Sequence, residues 1–76
     1  MTEQNFSVIL FLSVSHALKA ERILKQKAAD FKLIPVPRHI SSDCGVCIRV
    51  DSSLEASVEN MLTDSVPFSE IRPLND

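Results

Sequence analysis

The order in which apolar patterns alternate along the chain limits its fold more than any other feature. The segment Phe6–Ser13 is rich in β-branched and aromatic residues and is apolar on both alternation faces in its middle, which is typical of a central strand. Apolar residues then recur at helical spacing, namely Ala17, Ala20, Ile23, Leu24 and Ala28. With Ser13 or Ser15 as its N-cap, an amphipathic helix of about four turns follows the first strand.

Four further segments complete the pattern. Residues 31–36 predict a second strand, and Pro35 with Pro37 places it at an edge of the sheet, because proline cannot donate into a ladder. Residues 45–50 alternate as a third strand, and residues 67–74 form a weak closing strand. Between them a second helix is predicted, capped by Ser52 or Ser53, with an apolar stripe formed by Leu54, Val58, Met61 and Leu62.

The resulting order of elements, β-α-β-β-α-β, predicts a single domain over residues 1–76 of class α+β. For a chain of this size we expect a ferredoxin-like two-layer sandwich, with an antiparallel sheet in the order 4-1-3-2 and both helices on one face. In that topology the loop between the second and third strands meets the start of the first helix. Ser13, Ser15 and His16 should then come close to Arg38, His39 and Cys44.

Composition excludes several partners and compartments. The net charge of -2, the lack of Trp and Tyr and the lack of a basic run argue against nucleic-acid binding. The longest apolar run, Val8–Leu12, is too short to span a bilayer, and no basic residue precedes it as in a signal peptide. Two cysteines without an export signal favour a reducing compartment, so we expect a cytoplasmic protein with no membrane partner.

The loop that ends in Cys44 and Gly45 is the strongest candidate for chemistry. It contains one of the two cysteines, one of the two histidines and the only glycine. At the amino end of a helix, unpaired N–H groups favour an anion, so the Cys44 thiolate would be stabilised there, with His16 or Arg38 adding positive charge. Asp43 would oppose ionisation of the thiol if its side chain pointed the same way. Two alternatives therefore stay open, namely a structural cysteine that packs as a small apolar residue and an ordinary hairpin loop.

Cys44 and Cys47 form a C-x-x-C pattern, which raises a dithiol or metal interpretation. In an extended strand, however, residues three apart are about 10 Å from each other and face opposite sides of the sheet. A disulfide needs Cα atoms within about 7 Å. His16 and His39 lack the paired spacing of zinc ligands, so we predict no metal site and no cofactor, and each histidine is a proton shuttle or a solvated side chain.

One sheet face should lie uncovered by helices. We expect an apolar strip there, formed by Ile9, Phe11, Ile34 and Cys47. Burial of this strip against a second copy would give a homodimer, and burial against another protein would give a binding module.

Three segments together resemble a known family. In order and spacing, His16–Glu21, Lys32–Arg38 and Ser41–Gly45 resemble the small bacterial selenium/sulfur carrier-like proteins, over most of the chain. The resemblance implies a cysteine that carries sulfur or selenium as a persulfide-type adduct, and the matching position is Cys44. Cys47 is not part of the family pattern.

Arg38, Ser41, Ser42 and Gly45 match the motif around that cysteine. The leading hypothesis is therefore a carrier or accessory protein that holds a chalcogen atom on Cys44, receives it from a donor protein and delivers it to an acceptor. Ser15, His16 and Arg38 would stabilise the thiolate, while His39, Ser41, Ser42 and Gly45 would support the loop. The alternatives are a non-catalytic protein- or ligand-binding regulatory module and, third, a dithiol redox or metal-binding protein.

Overall fold

The computed structural model describes residues 5–40 and 45–74 of the chain. The helices and strands occur in the predicted order, and the second helix is preceded by one turn of 3-10 helix. Their bounds are β1 Phe6–Leu10, α1 Val14–Gln26, β2 Lys32–Pro35, β3 Val46–Asp51, the 3-10 turn Ser52–Leu54, α2 Glu55–Thr63 and β4 Glu70–Pro73.

The strands form one sheet in the order β2-β3-β1-β4, and all three pairings are antiparallel. Counted from the β4 edge, the same order is 4-1-3-2. β1 and β3 are the central strands, with Leu10 opposite Cys47 and Phe6 opposite Asp51. The chain is therefore an α+β protein with four antiparallel strands and two helices.

Both helices contribute to one core against one face of the sheet. Ala17, Ala20 and Leu24 of α1 and Val58 and Leu62 of α2 are buried together with alternate strand residues. These are Ile9 of β1 and Ile48 and Val50 of β3, and Phe11, just after β1, is buried with them. The helical spacing read from the sequence thus identifies the buried faces of both helices.

The opposite face of the sheet carries a second, smaller core. Val8, Leu10 and Cys47 are buried there, and Ile40 from the loop after β2 lies against them with 4% of its surface exposed. The expectation that Ile9 and Phe11 occupy this face is wrong, because β1 turns them toward the helices. Since β1 is apolar on both faces, its alternation alone did not specify which set faces the helices.

Local capping explains where α1 begins and ends. The Ser13 side chain accepts a hydrogen bond from the His16 N–H at 3.3 Å, so Ser13 and not Ser15 is the N-cap. At the other end Ala28 has a φ of 56°, and the Ala29 N–H donates to the Leu24 carbonyl at 2.9 Å. This is the Schellman motif, in which glycine is the usual residue at the left-handed position.

The start of α2 differs from the sequence expectation. Asp51, rather than Ser52 or Ser53, caps the 3-10 turn that precedes α2, because its carboxylate accepts from the Ser53 N–H at 2.9 Å. The N-cap position of α2 itself is Leu54, which makes no side-chain capping bond. Ser52 instead hydrogen-bonds to the buried Ser7 at 3.0 Å, and the Ser7 hydroxyl donates to Glu55 at 2.7 Å. A polar network therefore links β1 to the start of α2.

Within the described residues, no helix is long and apolar enough to cross a membrane.

Candidate functional site

The loop that contains Cys44 leaves and re-enters the sheet at the end where α1 begins. At its exit, the Val36 N–H donates to the Gly45 carbonyl at 3.1 Å, which joins the two ends of the loop. Cys47, two residues after Gly45, is paired with Leu10, and Leu10 is three residues before the N-cap Ser13. The predicted closeness of the loop exit to the start of α1 thus agrees with the strand register.

Three of the predicted site residues fall outside the described ranges. Ser41, Ser42 and the candidate nucleophile Cys44 lie there, together with Asp43. The role of Cys44 and its distance to α1 therefore remain predictions from the sequence.

The amino end of α1 has the features that an anion would need. No acidic residue occupies its first turn, so no carboxylate of that turn neutralises its N–H groups or the helix dipole. Ser15 is exposed, and His16 is half-buried. The Nδ1 atom of His16 is buried without a hydrogen-bond partner among the residues that the structure describes.

Arg38 and His39 do not follow the expected placement. They form the corner of a turn that is closed by the Ile40 N–H and the Pro37 carbonyl at 3.0 Å. The His39 Nε2–H donates to the Leu74 carbonyl at 3.3 Å. Leu74 lies beside Phe6, at the opposite end of β1 from the start of α1. The prediction that His39 meets the start of α1 is thus wrong, and Arg38 shares its turn.

The physical cause is the apolar side chain of Ile40. Its burial against Val8, Leu10 and Cys47 draws residues 36–40 from the β2 edge across the sheet face, toward β4 at the other edge. The sequence carried a signal for this path, since β1 is apolar on both faces and two helices can cover only one of them.

Gly45 does not have the backbone geometry that a tight turn would require. Its φ is not positive, and an added Cβ would meet no atom of the described residues within 4 Å. A left-handed backbone conformation is therefore not the reason for glycine at this position. The open space around this exposed residue still leaves the end of the loop accessible to another molecule.

Cys47 occupies a different environment from an exposed reactive thiol. It is fully buried on the sheet face that lacks helices, beneath Ile40. Its position on that face agrees with the alternation predicted for the third strand. Among the residues that the structure describes, no three His, Cys, Asp or Glu side chains cluster as metal ligands.

Three exposed apolar side chains near the start of α1 were not predicted as functional. Leu12, Val14 and Leu18 have 58%, 49% and 45% of their surfaces exposed. Val14 and Leu18 are one helical turn apart and therefore share a face of α1. A comparison of the apolar residues in this region with the buried stripe of α1 could have identified them from the sequence, because all three lie outside that stripe.

Comparison with known proteins adds one positive result. No curated protein and no solved structure matches the chain. One family model does match, and it spans all four strands, both helices and the whole of the loop with Cys44. Because the match covers residues 6–73, the chain belongs to the family described as "Putative Se/S carrier protein-like".

Proposed function

We propose that this protein carries a sulfur or selenium atom on Cys44 and transfers it between a donor and an acceptor protein. The observation that carries the proposal is the family match over residues 6–73, which includes the cysteine loop. Of the two cysteines, Cys47 is fully buried in the described structure. Cys44 is therefore the better candidate for the nucleophile.

The proposed chemistry is a pair of exchange steps. The Cys44 thiolate attacks the terminal sulfur of a donor persulfide, so a new S–S bond forms on Cys44 while the donor S–S bond breaks and a donor thiolate leaves. In the second step an acceptor nucleophile attacks that terminal sulfur, and the Cys44 thiolate is the leaving group. Neither step has a net oxidant or reductant. Both steps depend on the thiolate form of Cys44, which is the nucleophile in the first step and the leaving group in the second.

The start of α1 supports this chemistry. Its first turn holds no carboxylate, and the strand register brings the exit of the loop to the same end of the sheet. A thiolate near unpaired helix N–H groups is stabilised relative to the thiol. Ser15 and His16 are the side chains that we assign to this environment, and His16 has a ring nitrogen with no partner among the described residues.

Arg38 has less support as a thiolate partner. The turn that it shares with His39 is held at the far end of β1 by the contact with Leu74. We assign Arg38 and His39 to the loop that covers the sheet.

We assign the fold to the ferredoxin-like class. The strand order and the packing of both helices on one face support that class.

A carrier must also dock to its donor and acceptor. Leu12, Val14 and Leu18 are exposed next to the start of α1, where an apolar contact would place a partner over the end of the loop. The same surface favours the second candidate function, a non-catalytic binding module.

The homodimer through the open sheet face has less support, because Ile40 already covers Val8, Leu10 and Cys47 there.

Alkylation kinetics separate the two functions. In a Cys47→Ala variant, where Cys44 is the only thiol, iodoacetamide should react with a pH midpoint below about 8.5, the value of an ordinary cysteine. The matched Cys44→Ser variant should react only after unfolding, because Cys47 is buried. A Cys44 that titrates like an ordinary thiol, together with full cellular function of Cys44→Ser, would refute the carrier and favour the binding module.

A further inference from the structure

Two cationic side chains lie directly opposite each other on the sheet face without helices. Lys32 of β2 is the Cα partner of Arg49 of β3, and the alternation of β3 puts Arg49 on the same face as Cys47. Opposed like charges on neighbouring strands destabilise a sheet unless something compensates them. No described residue forms a salt bridge with either one, since the ion pairs found join Lys25 to Glu21 and Arg72 to Glu70.

The Arg49 side chain is held in one direction, but one of its hydrogen-bond donors has no partner among the described residues. Its guanidinium lies 4.2 Å from the centre of the Phe6 ring, a cation–π contact that fixes its direction. Its Nε atom is buried and has no hydrogen-bond partner in the part of the chain that the structure describes. A buried donor without a partner is destabilising, so an oxygen acceptor that engaged the guanidinium would be stabilising.

The space to accommodate such a ligand is present. A cleft of about 440 Å³ opens between Phe6, Lys32 and Arg49, at the end of the sheet where β2 begins and β3 ends. Two carboxylates also line it. Asp51 is engaged in capping, because it accepts from the Ser53 N–H and hydroxyl at 2.9 and 2.8 Å. Asp30 is exposed. Since the two carboxylates balance the two cations in charge, an anion here would be held by directed hydrogen bonds from the Arg49 guanidinium rather than by a net positive field.

We propose that this cleft binds a small oxyanion, the phosphate or carboxylate group of a ligand, through Arg49 and Lys32. Arginine presents parallel N–H donors that match both groups, and lysine adds a point charge. The site lies at the opposite end of β3 from the loop with Cys44 and does not include that cysteine. The proposal therefore stands or fails independently of the carrier function.

Titration of the whole chain followed by amide NMR tests the site. Inorganic phosphate and acetate are added separately, at an ionic strength kept constant with chloride. We expect saturable shifts for the amides of residues 30–32 and 49–51. Phosphate binding stronger than acetate binding would identify a phosphate group, and the reverse order a carboxylate. Linear, non-saturating shifts with both anions would overturn the proposal.

Matched variants assign the binding to the two cations. Lys32→Gln, at an exposed strand position, should weaken binding at least threefold, and Arg49→Lys should weaken it about tenfold because the parallel donors are lost. Asp30→Asn should strengthen binding. The control Lys25→Gln removes an equally charged lysine of α1 that does not line the cleft, and it should leave the affinity unchanged. Equal weakening by Lys32→Gln and Lys25→Gln would show only general charge screening and would refute the site.

Discussion

Replacement of Ile40 with alanine tests the segment that covers the second face of the sheet. Ile40 is 4% exposed and packs against Val8, Leu10 and Cys47. Burial of such a side chain stabilises the fold by about 1.5–3 kcal/mol, and Ile→Ala in a core costs about 2–5 kcal/mol once the cavity is included. Because a loop can settle into part of the space, we expect the lower end, about 2–3 kcal/mol.

That loss is large for a domain of this length. A chain of 76 residues has an expected free energy of unfolding of about 4–11 kcal/mol. Each kcal/mol changes the melting temperature of such a domain by about 4–8 °C, so Ile40→Ala should lower it by roughly 10–20 °C. The chain contains no Trp or Tyr, and far-UV circular dichroism during urea and thermal unfolding is therefore the suitable readout.

Leu18→Ala is the matched control, because it removes a similar apolar side chain that is 45% exposed on α1. We expect its effect to stay within about 0.5 kcal/mol. If Ile40→Ala were equally neutral, Ile40 would not be buried against the sheet. The path of the loop across Val8, and the placement of His39 beside Leu74, would then be wrong.

Three further changes test local features. Ala28→Gly should stabilise the protein by about 0.5–1 kcal/mol because a φ of 56° strains any residue with a Cβ, and in chemical unfolding a loss of stability would contradict the Schellman motif. Ser7→Ala should cost about 1–3 kcal/mol by thermal unfolding, because Glu55 loses a buried donor; a neutral result would contradict the network. Ser13→Ala should cost about 1 kcal/mol in urea unfolding, whereas Ser15→Ala should be nearly neutral, and equal effects would argue against Ser13 as the cap.

The sequence predicts the order of elements well because the two periodicities differ. The spacing of Ala17, Ala20 and Leu24 admits only a helix with that face buried, and the structure buries all three. The bounds are less accurate at the ends, where β1 stops at Leu10 because the Ser13 cap begins the helix soon afterward. Ala28 fits the helical spacing but lies beyond the helix end, because spacing does not reveal a left-handed cap.

Features that depend on long-range packing could not be predicted from the sequence in this way. Ile9 and Val8 are equally apolar, so only the fold decides that Ile9 faces the helices. Likewise, the positions of His39 and Arg38 follow from the burial of Ile40, a contact between a loop and two strands. The cap of the 3-10 turn was ambiguous because three adjacent polar residues, Asp51, Ser52 and Ser53, can all accept a hydrogen bond.

Intact mass spectrometry tests the carrier function most directly. The protein is isolated without reductant, and its mass is measured before and after treatment with cyanide, which removes persulfide-type sulfur or selenium. We predict an added chalcogen mass that is located at Cys44, disappears with cyanide and is absent from the Cys44→Ser variant. A mass equal to that of the unmodified chain under donor-replete conditions, or an adduct on Cys47, would contradict the account.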